Sequence, residues 1–201
     1  MNRRTLVLAG MLLTGLSGSM AAQESGPPRA GRWIVDIVHS QVDFRVRHLV
    51  GRVRGTFTNW YAVITTDNRG VRSGRVDVTV QTASLNTGNP VRDADLRTER
   101  FFAVDSFPEL TFRGSSLARS DTTTEIVGLL TIKGHSHPAS FTGQYRGIAK
   151  DSDGRERIAF DATTTIDRRD YGMQWNSIVG ANTLIGNEVE ITIALEAVRV
   201  E

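Results

Sequence analysis

The sequence predicts an all-β protein: about eight antiparallel strands closing into a barrel, with one short helix near residues 90–100 and an irregular segment near 168–187. Three observations predict it. Apolar and polar residues alternate with period two from Trp33 onward, turn-forming clusters punctuate the alternation, and one stretch alone carries a helix-start signature. Periodicity by itself also admits an open sandwich. Closure is favoured because it leaves no unpaired strand edge.

The chain starts with an address. Met1-Asn2-Arg3-Arg4 is basic, Leu6 to Leu16 is an apolar run, and Ser19-Met20-Ala21 supplies small residues of the kind a signal peptidase reads. Residues 1–22 are therefore expected to be a signal peptide for export, with a bacterial periplasm as destination, and the Arg3-Arg4 pair leaves the export route open. The run is shorter than the roughly 20 apolar residues that span a bilayer, so the protein is not expected to cross a membrane. Residues 23–32 (QESGPPRAGR) read as a flexible leader, and residues 33–201 as one domain.

Within the domain, Val42, Phe44, Val46 and His48 share one strand face, as do Val76, Val78 and Val80. Leu110 with Phe112, Ala139 with Phe141 and Tyr145, and Ile158, Phe160, Ala162 and Ile166 continue the inward set. Val189, Ile191, Ile193, Leu195 and Ala197 form its clearest run. Residues 57–65 and 126–132 are apolar on both parities and are expected to be covered on both sides. Turns are expected at residues 67–70, at Lys133-Gly134 and at residues 151–154. The helix begins with Asn89 as N-cap and Pro90 at its first position, and Val91 and Leu96 are expected to dock it on the sheet.

Composition excludes several functions. Cysteine is absent, which removes disulfides, thiolate metal sites and cysteine nucleophiles. Taking Arg3 and Arg4 from the 24 basic residues leaves 22 against 22 acidic ones, and a neutral body argues against nucleic acid as partner. No phosphate loop, nucleophile elbow or paired-histidine metal helix is present, and no haem or flavin motif, so no cofactor is expected. His135-Ser136-His137 follows a turn and reads as solvated rather than metal-binding. His39 and Ser40 point to opposite faces of an extended chain, which does not suit a hydrolase pair. Salt bridges account for Arg92, Arg97, Arg100, Arg168 and Arg169 as well as phosphate binding does.

Four ordered blocks carry a resemblance. Trp33-Ile34-Val35-Asp36, His39-Ser40, residues 44–49 and Gly55-Thr56-Phe57 form the first. Residues 92–97 with Phe101-Phe102 and residues 107–112 form the second, residues 128–134 the third, and residues 167–173 the fourth. Together they resemble the YceI-like family of polyisoprenoid-binding proteins, over the whole of residues 33–201. The resemblance implies a lipocalin-like barrel, an exported location, and a long isoprenoid, either a pyrophosphate or a quinone tail, held in the lumen without catalysis. The His-Ser-His turn departs from the family pattern. Parity and aromatic content nominate the lining: Phe44, Val46, His48, Phe57, Val76, Val78, Val80, Phe101, Phe102, Phe112, Phe141, Phe160, Met173 and Trp175. Arg92 and Arg100 are the candidates for an anionic head. Two readings compete with the carrier: an enzyme acting on such a lipid through His48 with Arg92 or Asp93, and a filled barrel that pairs with other subunits. A homodimer fits any of the three.

Overall fold

The computed structural model describes residues 30–67, 70–118, 120, 123–179 and 182–200. The expected signal peptide (1–22), most of the leader and the centre of the 67–70 turn lie outside the described residues. The leader's end does not stay loose, since Gly31 and Arg32 already belong to the first strand.

Thirteen strand segments are described, eleven in the barrel sheet and two, Ile178–Val179 and Asn182–Thr183, in a separate two-stranded ribbon. They are β1 (Gly31–Val35), β2 (Gln41–His48), β3 (Gly51–Phe57), β4 (Trp60–Asp67), β5 (Gly70–Gln81), β6 (Leu85–Asn86), β7 (Glu109–Ala118), β8 (Thr123–Ile132), β9 (His135–Lys150), β10 (Glu156–Asp167), β11 (Ile178–Val179), β12 (Asn182–Thr183) and β13 (Ile185–Arg199). All pairings are antiparallel, and the ring closes where Trp33 of β1 faces Ile64 of β4 on one side and Arg199 of β13 on the other. β1 and β2 lie along the same edge of β13 and act as one interrupted strand. β3 with β4, and β5 with β6, are interrupted in the same way, so the segments resolve into a closed barrel of eight strands.

Two of the three interruptions have a visible local cause. Between β1 and β2, Asp36 accepts a hydrogen bond from Val38 N (3.1 Å) and starts a single 3₁₀ turn over Ile37–His39. Between β3 and β4, Thr58 donates both its N–H and its hydroxyl to Ser84 O. The expected turn at Lys133-Gly134 is present with φ of 51° and 74°, the pair of positive values that a two-residue hairpin needs.

Helix α1 (Pro90–Arg97) sits across one end of the barrel. Asn89 caps it by accepting from Arg92 N at 3.1 Å, and buried Asp93 accepts from Thr87 N and Oγ1. Leu96 packs against the core, but Val91 is 81% exposed, so only one of the two expected anchors docks. The double-sided cover expected for residues 57–65 and 126–132 is also corrected, because Tyr61 and Leu129 stand about half exposed on the outer wall. A barrel wall has one packed face, and these two outward side chains meet solvent.

Candidate functional site

The inward faces of the strands leave space that side chains do not fill. A chamber of about 690 Å³ lies at the α1 end, and a second of about 120 Å³ lies deeper. Val42, Val80 and Ile191 line both, so the two chambers adjoin at a shared waist. The larger chamber falls within the size range of small-molecule sites.

The sequence-nominated residues divide between them. Phe44, Val46, His48, Phe57, Arg92, Phe101, Phe102, Met173 and Trp175 line the wide chamber. Val76, Val78, Phe112, Phe141 and Phe160 line the deep one, and Val80 borders both. Arg100 lines neither. It pairs with Asp95 at 2.9 Å and stacks over the Trp175 ring at 5.0 Å. His48 keeps the inward parity but lies at the last residue of β2, so it is exposed at the rim rather than buried.

Rings shape the wide chamber. Phe44 contacts Phe57 (5.6 Å between centroids), Phe57 meets Phe102 edge-on (6.0 Å), and Phe101 meets Trp175 (5.5 Å). Gly55 permits this, since a Cβ there would stand 2.3 Å from the Phe44 ring. In the deep chamber Phe112 and Phe141 pack edge to face at 5.0 Å.

Polar groups gather near the α1 end. Arg92 donates to the hydroxyl (2.8 Å) and carbonyl (3.0 Å) of Thr87, which turns its guanidinium along the chamber wall. Arg168 is 4% exposed and, among the described residues, has no carboxylate in hydrogen-bond contact. It donates to the carbonyls of Gly186 (2.9 Å), Met173 and Trp175 (3.0 Å) and to Asn187 Oδ1 (3.3 Å), and so ties the irregular segment to β13. Burial pushes its guanidinium below the ordinary arginine value. The expectation that salt bridges explain the arginines therefore holds for Arg100 and Arg169 but not for Arg92, Arg97 or Arg168, which bond neutral oxygens.

Sequence reasoning missed the deep chamber's Trp60 and Ile64, the hydroxyls of Thr66, Ser116 and Thr124, and the role of Arg168. Period two held a signal for Trp60, Ala62 and Ile64. It was masked because residues 57–65 are apolar on both parities.

The two residues nearest a hydrolase pair are engaged elsewhere. Ser40 Oγ accepts from Glu196 N (2.9 Å) and donates to Glu196 O (3.3 Å), while His39 bonds Asp36. His137 packs edge-on to Tyr171 at 5.3 Å, and His135 lies against Gly172. Among the described residues no helix is long and apolar enough to cross a membrane.

Comparison with known proteins follows the same outline. The YceI-like domain profile matches residues 33–197. A UPF0312 protein of Staphylococcus aureus is 30% identical over 164 residues, covering 80% of this chain and 94% of its own. The crystal structure of the Campylobacter jejuni YCEI protein aligns with a TM-score of 0.68 at 30% identity, over 77% of this chain and 90% of that one. A polyisoprenoid binding domain from Saccharophagus degradans shares the fold, with a TM-score of 0.64 at 14% identity, over 86% of this chain and all of that one.

Proposed function

The chain belongs to the YceI-like family, and from that premise we propose that its barrel binds and carries a long-chain polyisoprenoid lipid, with no chemistry of its own. The observation that carries this reading is the bore: two chambers with a common waist, walled by aliphatic and aromatic side chains. The fold neighbour named for polyisoprenoid binding supports it. So does the engagement of Ser40 and His39 with neighbours that leave no nucleophile–base pair between them.

The energetics suit such a ligand. Each buried CH₂ is worth about 0.8 kcal/mol, so one five-carbon unit contributes roughly 4 kcal/mol before costs. Association costs several kcal/mol, so about four to six buried units reach nanomolar affinity, near −12 kcal/mol. The tail sets affinity. The head, an isoprenoid pyrophosphate or a quinone, lies at the α1 end, where Arg92, Arg168 and His48 supply donors. The protein works after export to the periplasm, directed by residues 1–22.

The test is mass spectrometry of organic extracts from protein purified from a bacterial host, with saturation binding of added prenols. Recovery of isoprenoid and saturable binding are expected. Protein that yields no lipid and binds none would refute the carrier reading.

A further inference from the structure

Three hydroxyl residues interrupt an otherwise hydrocarbon-lined deep chamber: Thr66 on β4, Ser116 on β7 and Thr124 on β8. Thr66 and Ser116 meet at Gly74, where a Cβ would stand 3.0 Å from Ser116 Oγ and 3.8 Å from Thr66 Cγ2. The register brings Thr124 beside them, since Ser116 pairs with Ile126 and Ala118 with Thr124 on adjacent strands. The cluster lies at the end of the bore away from α1.

Their hydrogen bonding is unequal. Thr66 Oγ1 accepts from Trp33 Nε1 (3.0 Å) and donates to Gly31 O (3.4 Å). Ser116 Oγ accepts from Gly74 N (2.6 Å) and donates to Gly74 O (3.3 Å). Thr124 is 2% exposed, and its Oγ1 has no partner. An orphaned buried hydroxyl is destabilising, and valine has the same shape without that penalty. Thr82 is the other orphan hydroxyl among the described residues, but it borders neither chamber. Of these two residues, Thr124 is the one that lines the bore.

We infer that the deep end of the bore is a hydrogen-bonding subsite for a neutral oxygen, hydroxyl or carbonyl, carried by the buried end of a lipid, and that Thr124 is the side chain that reads it. The inference rests on the carrier reading and adds a chemical demand to it. No charged side chain lines this chamber, so an ionised group brought here would have nothing to neutralise it. A neutral oxygen pays far less to leave water and recovers it by accepting from Thr124. The hydroxyl is tucked into the wall as it stands, so the inferred contact requires χ1 to turn it toward the lumen.

The experiment compares two probes of one carbon skeleton, geranylgeraniol and its ω-hydroxy derivative, which adds a second hydroxyl at the tail end that enters the deep chamber. Binding is read from tryptophan fluorescence, since Trp60 lines the same chamber. The wild type is expected to bind the diol about tenfold more tightly than geranylgeraniol. Thr124→Val should remove that preference by weakening the diol about tenfold while leaving geranylgeraniol unchanged, and Thr124→Ser should restore it. A Thr124→Val protein that shifts both probes equally, or shifts neither, overturns the subsite and leaves the carrier intact. A wild type that binds geranylgeraniol as tightly as the diol also overturns it. If the wild type binds neither probe, the carrier reading itself falls.

Discussion

Val80 is where the bore can be cut. It is buried, lines both chambers, and sits between Trp60 on β4 and Leu110 on β7. Val80→Phe places a ring at the waist and separates the deep 120 Å³ from the wide 690 Å³. A ligand long enough to occupy both then loses about one isoprene unit of burial, roughly 4 kcal/mol gross, or up to about a thousandfold in Kd. Chain ordering returns part of this, so about a hundredfold is the expected loss. A two-unit prenol fits in the wide chamber alone and should bind as before. In a filled core an enlarged side chain costs about 1–3 kcal/mol. Here it enters free volume, so the melting temperature should fall by no more than about 4 °C. Titrations of eight-unit and two-unit prenols against both proteins, with thermal melts alongside, decide the matter. If the variant loses both ligands equally, or loses neither, the two chambers do not act as one bore. A large drop in melting temperature would show the waist to be packed solid.

Three further outcomes follow from the same geometry. Gly128→Ala would bring a Cβ within 2.3 Å of Arg113 O and 2.6 Å of Gly114 Cα, so β7 and β8 must part; denaturant melts should show a loss of about 3 kcal/mol. Arg168→Met strands the carbonyls that its guanidinium now joins, and should cost about 3 kcal/mol, with limited proteolysis opening first within residues 168–187. Hydrogen bonds from Arg157 (2.7 Å) and His39 (2.9 Å) hold the Asp36 carboxyl well below the usual carboxylate range. Its contribution to stability is complete above the unfolded value of about 3.9 and is lost as pH falls below it, so Asp36→Asn should lower stability at pH 7 and flatten the acid limb in melts from pH 7 to 2.5.

The barrel was legible because a closed sheet has one inside and one outside, and period two states which is which. The run from Val189 to Ala197 carried that rule through β13, whose neighbours on both sides inherit its register. Helix α1 was legible from Asn89 and Pro90, whose roles are local. What escaped depended on places where parity stops informing. His48 has the right parity but is a strand's last residue, so its face is open to solvent. Residues 57–65 are apolar on both sides, which concealed the break at Thr58 and with it the inward placement of Trp60. Arg168 reads as one more surface arginine beside Asp167 and Asp170, yet the segment it organises folds back over it. Only the tertiary path reveals that its partners are carbonyls from residues 173, 175 and 186.

Strand number alone does not decide between a carrier and a solid barrel. Eight strands give an interior that side chains can just fill, or that can hold one slender ligand. The choice is made by the volume of the inward residues. Phe112, Phe141 and Phe160 line the deep chamber, but the same lining includes Ala62, Val76, Val78 and Ala162, with Gly74 bearing no side chain. Small residues among the rings leave a gap, whereas leucines in those places would close it. An empty apolar gap forfeits the dispersion contacts of its lining. Keeping it therefore costs stability in the free protein, and that cost is recovered when a hydrocarbon chain supplies the missing contacts. Ala62→Leu together with Ala162→Leu should accordingly raise the unfolding midpoint while abolishing eight-unit prenol binding. If the doubly substituted protein is no more stable, the gap between rings and alanines is not a real void, and the argument from side-chain volume fails.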